Sequence, residues 1–117
     1  MNTLVGSSVV RMILRQSVDL AGRLRTQYAC DLAAPVVEAL ESALSSLQSS
    51  TSSRSQKLLL LSSARQQVRR VERMVTERII GDKWMPREEV LVLVDVRWGC
   101  HRAIHRMNDD MTSLRGR

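Results

Sequence analysis

The chain has 117 residues, 44% of them hydrophobic, which is enough for one packed domain and excludes global disorder. Only 3% are aromatic and Phe is absent, so the core must consist of aliphatic side chains and Met, which favours packed helices over a small β-barrel. The formal charge of +6 indicates a polyanionic partner. We therefore predict one all-α domain over residues 1–117, a helical bundle.

The N-terminal half predicts two helices. Residues 8–28 repeat apolar side chains every three or four positions, as in an amphipathic helix. The apolar side of this helix comprises Val10, Ile13, Leu14, Ala21, Leu24 and Tyr28. A second helix is expected to begin near Asp31, a good N-cap residue, with Pro35 in its first turn. Its apolar side comprises Val36, Val37, Leu40, Leu44 and Leu47.

A serine-rich linker over about 45–55 is expected next, because serine side chains compete for backbone hydrogen bonds. Ser53 or Ser55 then caps a third helix over about 56–80, which ends at Gly81. The apolar side of the third helix comprises Leu61, Ala64, Val68, Val71, Val75 and Ile79. We expect the first and third helices to form an antiparallel pair that packs against a second copy, which gives a dimeric four-helix bundle.

The C-terminal third begins with a turn, and Pro86 is expected to start an additional helix. Residues 90–96, VLVLVDV, are typical of a strand when taken alone. A helix is favoured because apolar residues continue at three- and four-residue spacing beyond them, although the sequence leaves the choice open. These residues are Leu93, Val96, Cys100, Ala103, Met107, Met111 and Leu114. The tail at 111–117 is predicted to be frayed.

The third helix carries nearly all the excess charge, because residues 51–80 contain seven basic and two acidic side chains. Arg65, Arg69 and Arg73 recur every four residues, so they stack on one side of the helix and repel one another. A solvated surface is one interpretation, and an anion that relieves the repulsion is the favoured one. The candidate binding residues are Arg73, Arg69, Arg65, Arg70, Gln66, Lys57, Arg54 and Thr76.

The composition favours double-stranded RNA as the anion. Single-strand binders stack bases on aromatic side chains, and no aromatic residue interleaves with these arginines in the sequence. Zinc-finger and basic-zipper motifs are also absent. A long helix with Arg, Gln, Ser and Thr side chains instead suits a duplex recognised by its phosphates and 2′-hydroxyls.

The stretch ARQQVRRVERMVTERII, above all Arg73-Met74-Val75-Thr76, resembles the central helix of the nodaviral RNA-silencing suppressors. These are small all-helical proteins of insect viruses that dimerise into a four-helix bundle and bind double-stranded RNA without sequence preference. The resemblance covers about a third of the chain. It implies that Arg73 contacts RNA, that the protein is a homodimer in the host cytoplasm, and that it suppresses RNA interference. Where the family has a lysine, about two turns earlier, this chain has Arg65 and Gln66.

Other sites are less well supported by the sequence. His101, His105 and Asp109 share one side of a helix, where they could bind a metal, contact phosphate or form a polar outer surface. No second ligand pair accompanies them and arginines surround them, so we predict no metal site. Cys100 is expected in the core, and the spacing of Cys30 and Cys100 indicates a reduced, intracellular protein.

No motif of an enzyme is present, so we predict a non-enzymatic protein without a cofactor or a small-molecule substrate. We also predict no membrane span, because Arg11 and Arg15 interrupt the first apolar region and leave it too short. The alternative function is a helical protein–protein interaction module, whose basic surface meets an acidic partner or a membrane surface.

Overall fold

A computed structural model describes residues 3–116 of the protein. Its elements in chain order are β1 (Thr3–Leu4), α1 (Ser8–Tyr28), α2 (Ala33–Gln48), β2 (Ser50–Thr51), α3 (Arg54–Gly81) and α4 (Arg87–Arg115). α1 has the predicted bounds, and the Ser7 hydroxyl caps it by accepting a hydrogen bond from the Val10 N–H at 3.3 Å. Its last residue is Tyr28, and the C-cap residue Ala29 has a left-handed φ of 50°. The short connection then turns the chain into α2.

α2 begins after Leu32 without a side-chain cap, so the predicted capping role of Asp31 is wrong. The carboxylate of Asp31 instead pairs with the guanidinium of Arg78 at 2.8 Å, and this pairing lowers the pKa of Asp31. Pro35 does lie in the first turn, as predicted. An ion pair with a residue 47 positions away has replaced a local capping interaction.

The serine-rich connection is shorter than the predicted linker at 45–55. α2 continues to Gln48 because Ala43 and Leu47 in its last turns are fully buried in the core. The serines are accommodated within the helix, where the Ser46 hydroxyl donates to the Ser42 carbonyl at 3.3 Å. β2 then pairs antiparallel with β1, with Thr51 opposite Thr3. This two-stranded pair ties the start of the described chain to the α2–α3 connection.

α3 and α4 are the two long helices. Of the two candidate caps, Ser53 is the one used, and its hydroxyl accepts from the Gln56 N–H at 3.3 Å. Gly81 is the last residue of α3 and not a left-handed terminator, since no glycine in residues 3–116 has a positive φ. α4 follows Pro86 and includes residues 90–96, so the helical interpretation of that segment is confirmed.

The predicted fraying of residues 111–117 is wrong for most of that segment. α4 continues to Arg115 because Met111, only 1% exposed, and Leu114 pack against the core. Residue 117 lies outside the described residues. Burial of two apolar side chains therefore holds the last turn of the helix in place.

The helices form an all-α bundle, as predicted, with dimensions of 50 × 22 × 18 Å. α1 packs on α2 and α4, while α3 packs on α2 and α4, so α1 and α3 occupy opposite corners of the bundle. The expected pairing of α1 with α3 is therefore wrong. α4 is not an addition to the bundle but its fourth helix, because its apolar side closes the core within a single chain.

The core consists of the predicted apolar sides of the four helices. Most of their residues are fully buried, and the half-buried ones that pack around the edge are Tyr28, Val37, Leu44, Ile79 and Leu114. The outer sides of the helices remain for polar and charged residues. No helix within residues 3–116 is long and apolar enough to cross a bilayer.

Candidate nucleic-acid interface

Arg69 and Arg73 lie on the outer side of α3, where both are exposed. They are one helical turn apart, about 6 Å along the axis, as the sequence predicts. Neither forms an ion pair with any acid in residues 3–116, where Arg78 pairs with Asp31 at 2.8 Å and His101 Nδ1 lies 3.8 Å from Glu72 Oε2. Two guanidinium groups without an ion-pair partner among the described residues therefore face solvent side by side.

Arg65, the third member of the predicted column, lies differently. It is half-buried between α3 and α4, and its Nη1 donates to Asn108 Oδ1 at 2.7 Å. Burial lowers the pKa of Arg65, and the charges of Arg69 and Arg115 lower it further. The column is thus split into one arginine that joins two helices and two that are free of protein partners within the described residues.

A groove runs between α3 and α4 beside these arginines. α3 contributes Arg69, Glu72, Arg73, Thr76 and Glu77, and α4 contributes Arg97, His101 and Ile104. Arg97 is one of the arginines that surround the histidines in the sequence, and His101 is a possible phosphate contact of the sequence analysis. Both line the same groove as Arg73, although they lie on a different helix. Of the two acids in the groove, Glu72 lies beside a histidine, with its Oε2 3.8 Å from His101 Nδ1.

Gln66 and Arg70 lie on the other flank of the arginines. An open depression on the outer side of α3 is lined by Ser62, Arg65, Gln66, Gln67, Arg69, Arg70 and Arg73. Arg70 also borders α2, near Glu38, but forms no ion pair among residues 3–116. Amide and hydroxyl groups therefore surround the guanidinium groups and can donate or accept hydrogen bonds.

The other predicted binding residues either lie far from Arg73 or already form hydrogen bonds within the protein. Arg54 begins α3, about 28 Å along the helix from Arg73. The ammonium group of Lys57 donates to Thr3 Oγ1 at 2.6 Å, which ties α3 to β1. Thr76 lies in the groove, but its hydroxyl donates to the Glu72 carbonyl at 2.7 Å. The structure thus groups Arg69, Arg73 and their neighbours, and leaves Arg54 and Lys57 at the far end of α3.

An aromatic residue adjoins the groove, although none adjoins the arginines in the sequence. Trp98 is 60% exposed, and its ring stacks on His101 with 5.8 Å between centroids and 20° between planes. A recess beside them is lined by Glu72, Val94, Arg97, Trp98 and His101. The antiparallel packing of α4 on α3 brings this residue to the arginines, so spacing along the chain could not reveal it.

The cysteine and histidine residues of α4 face different environments. Cys100 is fully buried, and burial raises the pKa of its thiol to about 12, so it is protonated at neutral pH. His101 and His105 are exposed on the outer surface. Within residues 3–116 no three His, Cys, Asp or Glu side chains are grouped so as to hold a metal ion. Both cysteines are free thiols.

The fold and the groove together define a four-helix bundle with a basic surface shared by α3 and α4. No protein-family model, curated protein or solved structure matches the chain. The resemblance to the nodaviral suppressors therefore stays a prediction.

Proposed function

We propose that the protein binds double-stranded RNA without sequence preference, through the basic surface of α3 and the α3–α4 groove. The observation that carries the proposal is the pair Arg69 and Arg73. Both are exposed, neither has an acidic partner within residues 3–116, and both line the same groove as Arg97. Three guanidinium groups around one groove suit phosphates, which arginine holds bidentately.

The largest excess of positive charge in the bundle lies on α3, although α1 also carries four basic residues and one acidic residue. α3 carries seven basic and two acidic residues, whereas α2 carries two acidic residues and no basic one. A polyanion would therefore be attracted to α3 and repelled from the outer side of α2. The elongated shape, with a long axis of 50 Å, allows a duplex to lie along these helices.

The polar residues among the arginines favour RNA over DNA. Ser62, Gln66 and Gln67 line the same depression as Arg69 and Arg73. Their hydroxyl and amide groups can bond to 2′-hydroxyls, which DNA lacks. None of these contacts depends on base identity, so binding is expected to be independent of sequence.

The proposed consequence is suppression of host RNA interference in the cytoplasm by occlusion. A protein that covers the backbone of long duplex RNA prevents its cleavage, and one that covers short duplexes prevents their loading. No bond is made or broken, so the proposed mechanism requires neither a catalytic residue nor a cofactor. Its strength depends on phosphate contacts and therefore on salt concentration.

The test is a titration of labelled duplexes followed by fluorescence anisotropy. We expect two duplex RNAs of unrelated sequence to bind with similar affinity, more tightly than duplex DNA, and less tightly as salt increases. Arg69→Ala and Arg73→Ala should each weaken binding about tenfold, since a hydrogen bond to a charged group contributes roughly 1.5 kcal/mol or more. Circular dichroism of both variants should be unchanged, because both side chains are exposed.

Arg23→Ala is the matched control, because it removes the same charge from an exposed position on α1, the corner of the bundle opposite α3. It should leave the affinity nearly unchanged. Equal losses for Arg23→Ala and Arg73→Ala would show attraction by net charge and not a site. Absence of binding to any duplex at low salt would refute the proposed function.

A helical interaction module is the second candidate function, because large apolar side chains are exposed near the α3–α4 turn. Ile80, Trp84 and Leu91 are 73%, 94% and 53% exposed. Exposed apolar side chains of this kind can form a protein interface. The partner would be an acidic protein or, for the proposed homodimer, a second copy. Ile80→Ser with Leu91→Ser should abolish such an association and leave the RNA affinity intact.

A further inference from the structure

We propose that Trp98 is a stacking site for an unpaired base next to the duplex, so that the protein prefers duplex RNA with a single-stranded overhang. This inference rests on the proposed function and names a feature of the RNA that the same groove would select. The geometry behind it is the juxtaposition of an exposed tryptophan, a carboxylate and an arginine-lined groove.

Trp98 has the form of a stacking platform. Its ring is 60% exposed, yet it is held against His101 in a stacked arrangement with 20° between the planes. A side chain positioned in this way loses little conformational freedom when a base stacks on it. Base–aromatic stacking stabilises single-stranded complexes and tolerates any sequence, since every base has a π-face.

The platform is continuous with the proposed phosphate contacts. Glu72, Arg97 and His101 line both the recess at Trp98 and the groove that contains Arg69 and Arg73. A strand whose phosphates bind the groove would therefore carry its next nucleotide into the recess. Bases inside a duplex are covered on both faces by their neighbours, and a terminal base pair is still held in its pair and offers only its outer face. An unpaired overhanging nucleotide can instead turn its base into the recess and present a face to Trp98.

The charges of the recess favour a base over another phosphate. Glu72 is an acid at the centre of a basic surface. Its Oε2 is buried without a hydrogen-bond donor within residues 3–116, while the side chain as a whole remains 33% exposed to the recess. A carboxylate repels phosphate but accepts from the amino and imino groups of bases. The recess has a volume of about 320 Å³, at the lower end of the range for small-ligand sites, which suits one nucleotide base.

The experiment uses the full chain with Trp84→Phe, which leaves Trp98 as the only tryptophan. Trp84 is 94% exposed in the turn, so its replacement should not disturb the fold. The probes are a blunt duplex RNA and the same duplex with short 3′ overhangs. We expect the overhang duplex to bind about tenfold more tightly and to quench Trp98 emission more strongly, the difference being equivalent to about 1.4 kcal/mol.

Variants at Trp98 separate stacking from simple apolar contact. In the wild-type background, Trp98→Leu should lose the preference for overhangs but keep the affinity for the blunt duplex. Trp98→Phe, which retains a ring, should keep most of the preference. Arg73→Ala should weaken binding of both duplexes and leave the preference unchanged. Anisotropy of labelled RNA measures all three variants in the same way.

Several outcomes would overturn the inference. Equal affinity and equal quenching with blunt and overhang duplexes would do so while leaving the proposed function intact, as would an unchanged preference in Trp98→Leu. A Trp98 emission that shifts with protein concentration in the absence of RNA would show that a second copy covers the ring. Failure to bind either duplex would instead refute the proposed function itself.

Discussion

A single glycine determines how closely α1 and α4 approach. A Cβ added at Gly99 would lie 2.4 Å from Ser17 Oγ, which is buried and donates to the Ile13 carbonyl at 2.9 Å. Gly99→Ala must therefore push the helices apart or break that hydrogen bond. We expect it to lower the free energy of unfolding by about 1–3 kcal/mol, measured by urea denaturation.

Gly22 provides the matched control because it also lies inside a helix, but a Cβ added there would meet no atom within 4 Å. Gly22→Ala should raise the free energy of unfolding by about 0.5–1 kcal/mol, since alanine favours the helix. Equal effects of the two substitutions would mean that helix propensity alone acts at both positions and that α1 and α4 do not approach at Gly99.

Asp110 is a residue whose charge opposes folding. Its Oδ2 is buried without a hydrogen-bond partner among residues 3–116, and burial raises the pKa of its carboxyl above the usual 3.8. The folded chain therefore holds the proton of the Asp110 carboxyl more tightly than the unfolded chain. The free energy of unfolding consequently decreases as the pH rises from the pKa of the unfolded chain through the higher pKa of the folded chain. Arg106 offsets the effect only in part, because burial is the larger cause.

Asp110→Asn removes this penalty. We expect the variant to be more stable than the parent protein at pH 7, by less than about 1 kcal/mol because water still screens the site. The difference should disappear in acid, where Asp110 is protonated in both states. Thermal unfolding between neutral pH and acid measures this difference in stability. Asp95→Asn, at an exposed position of the same helix, is the control, because Asp109 itself raises the pKa of Asp110. A destabilised Asp110→Asn would contradict the assignment.

At the scale of helices, the sequence was informative wherever local periodicity decides. The apolar repeat predicts the bounds of α1 correctly, and the continued repeat through Met107 identifies residues 90–96 as helix despite their β-branched side chains. The predicted apolar positions are buried or half-buried in the structure because a helix that packs on two neighbours must bury that side.

Helix ends and helix partners were not predictable in the same way, because they depend on distant residues. Asp31 does not cap α2 because Arg78 engages it, and residues 111–115 do not fray because Met111 finds space in the core. The sequence analysis pairs α1 with α3 because no local pattern in the sequence indicates that α4 packs on both of them and closes the bundle. Each of these features is set by tertiary packing.

The candidate site also combines features set by local helix periodicity with features set by tertiary packing. The spacing of Arg69 and Arg73 is a local property of α3, and the structure places both on its outer side as predicted. Arg97 and Trp98 join them only because α4 runs antiparallel to α3 in a register that sets His101 beside Glu72. The sequence therefore indicates the arginines of α3 and offers His101 of α4 as a possible phosphate contact, while the alignment of the two helices that forms one groove could not be predicted.

At the scale of the whole molecule, one chain encloses a complete core. The buried side chains of all four helices form a single cluster. In a dimeric bundle to which each chain supplied two helices, a second copy would be needed to complete the core. Here one chain supplies all four helices, so folding does not require a second copy. An obligate dimer becomes more stable as its concentration rises, whereas a self-contained chain does not. The proposed homodimer would then form by association of folded chains through an exposed surface.

We therefore expect the midpoint of urea unfolding to be the same at about 1 µM and about 100 µM protein. Sedimentation at the same two concentrations would report association independently of stability. A midpoint that rises with concentration would show that subunit contacts contribute to the folded state and that the single-chain bundle is incomplete. A constant midpoint with a concentration-dependent mass would place the dimer contact on the outside of the bundle, where Ile80, Trp84 and Leu91 are the exposed apolar residues to substitute first.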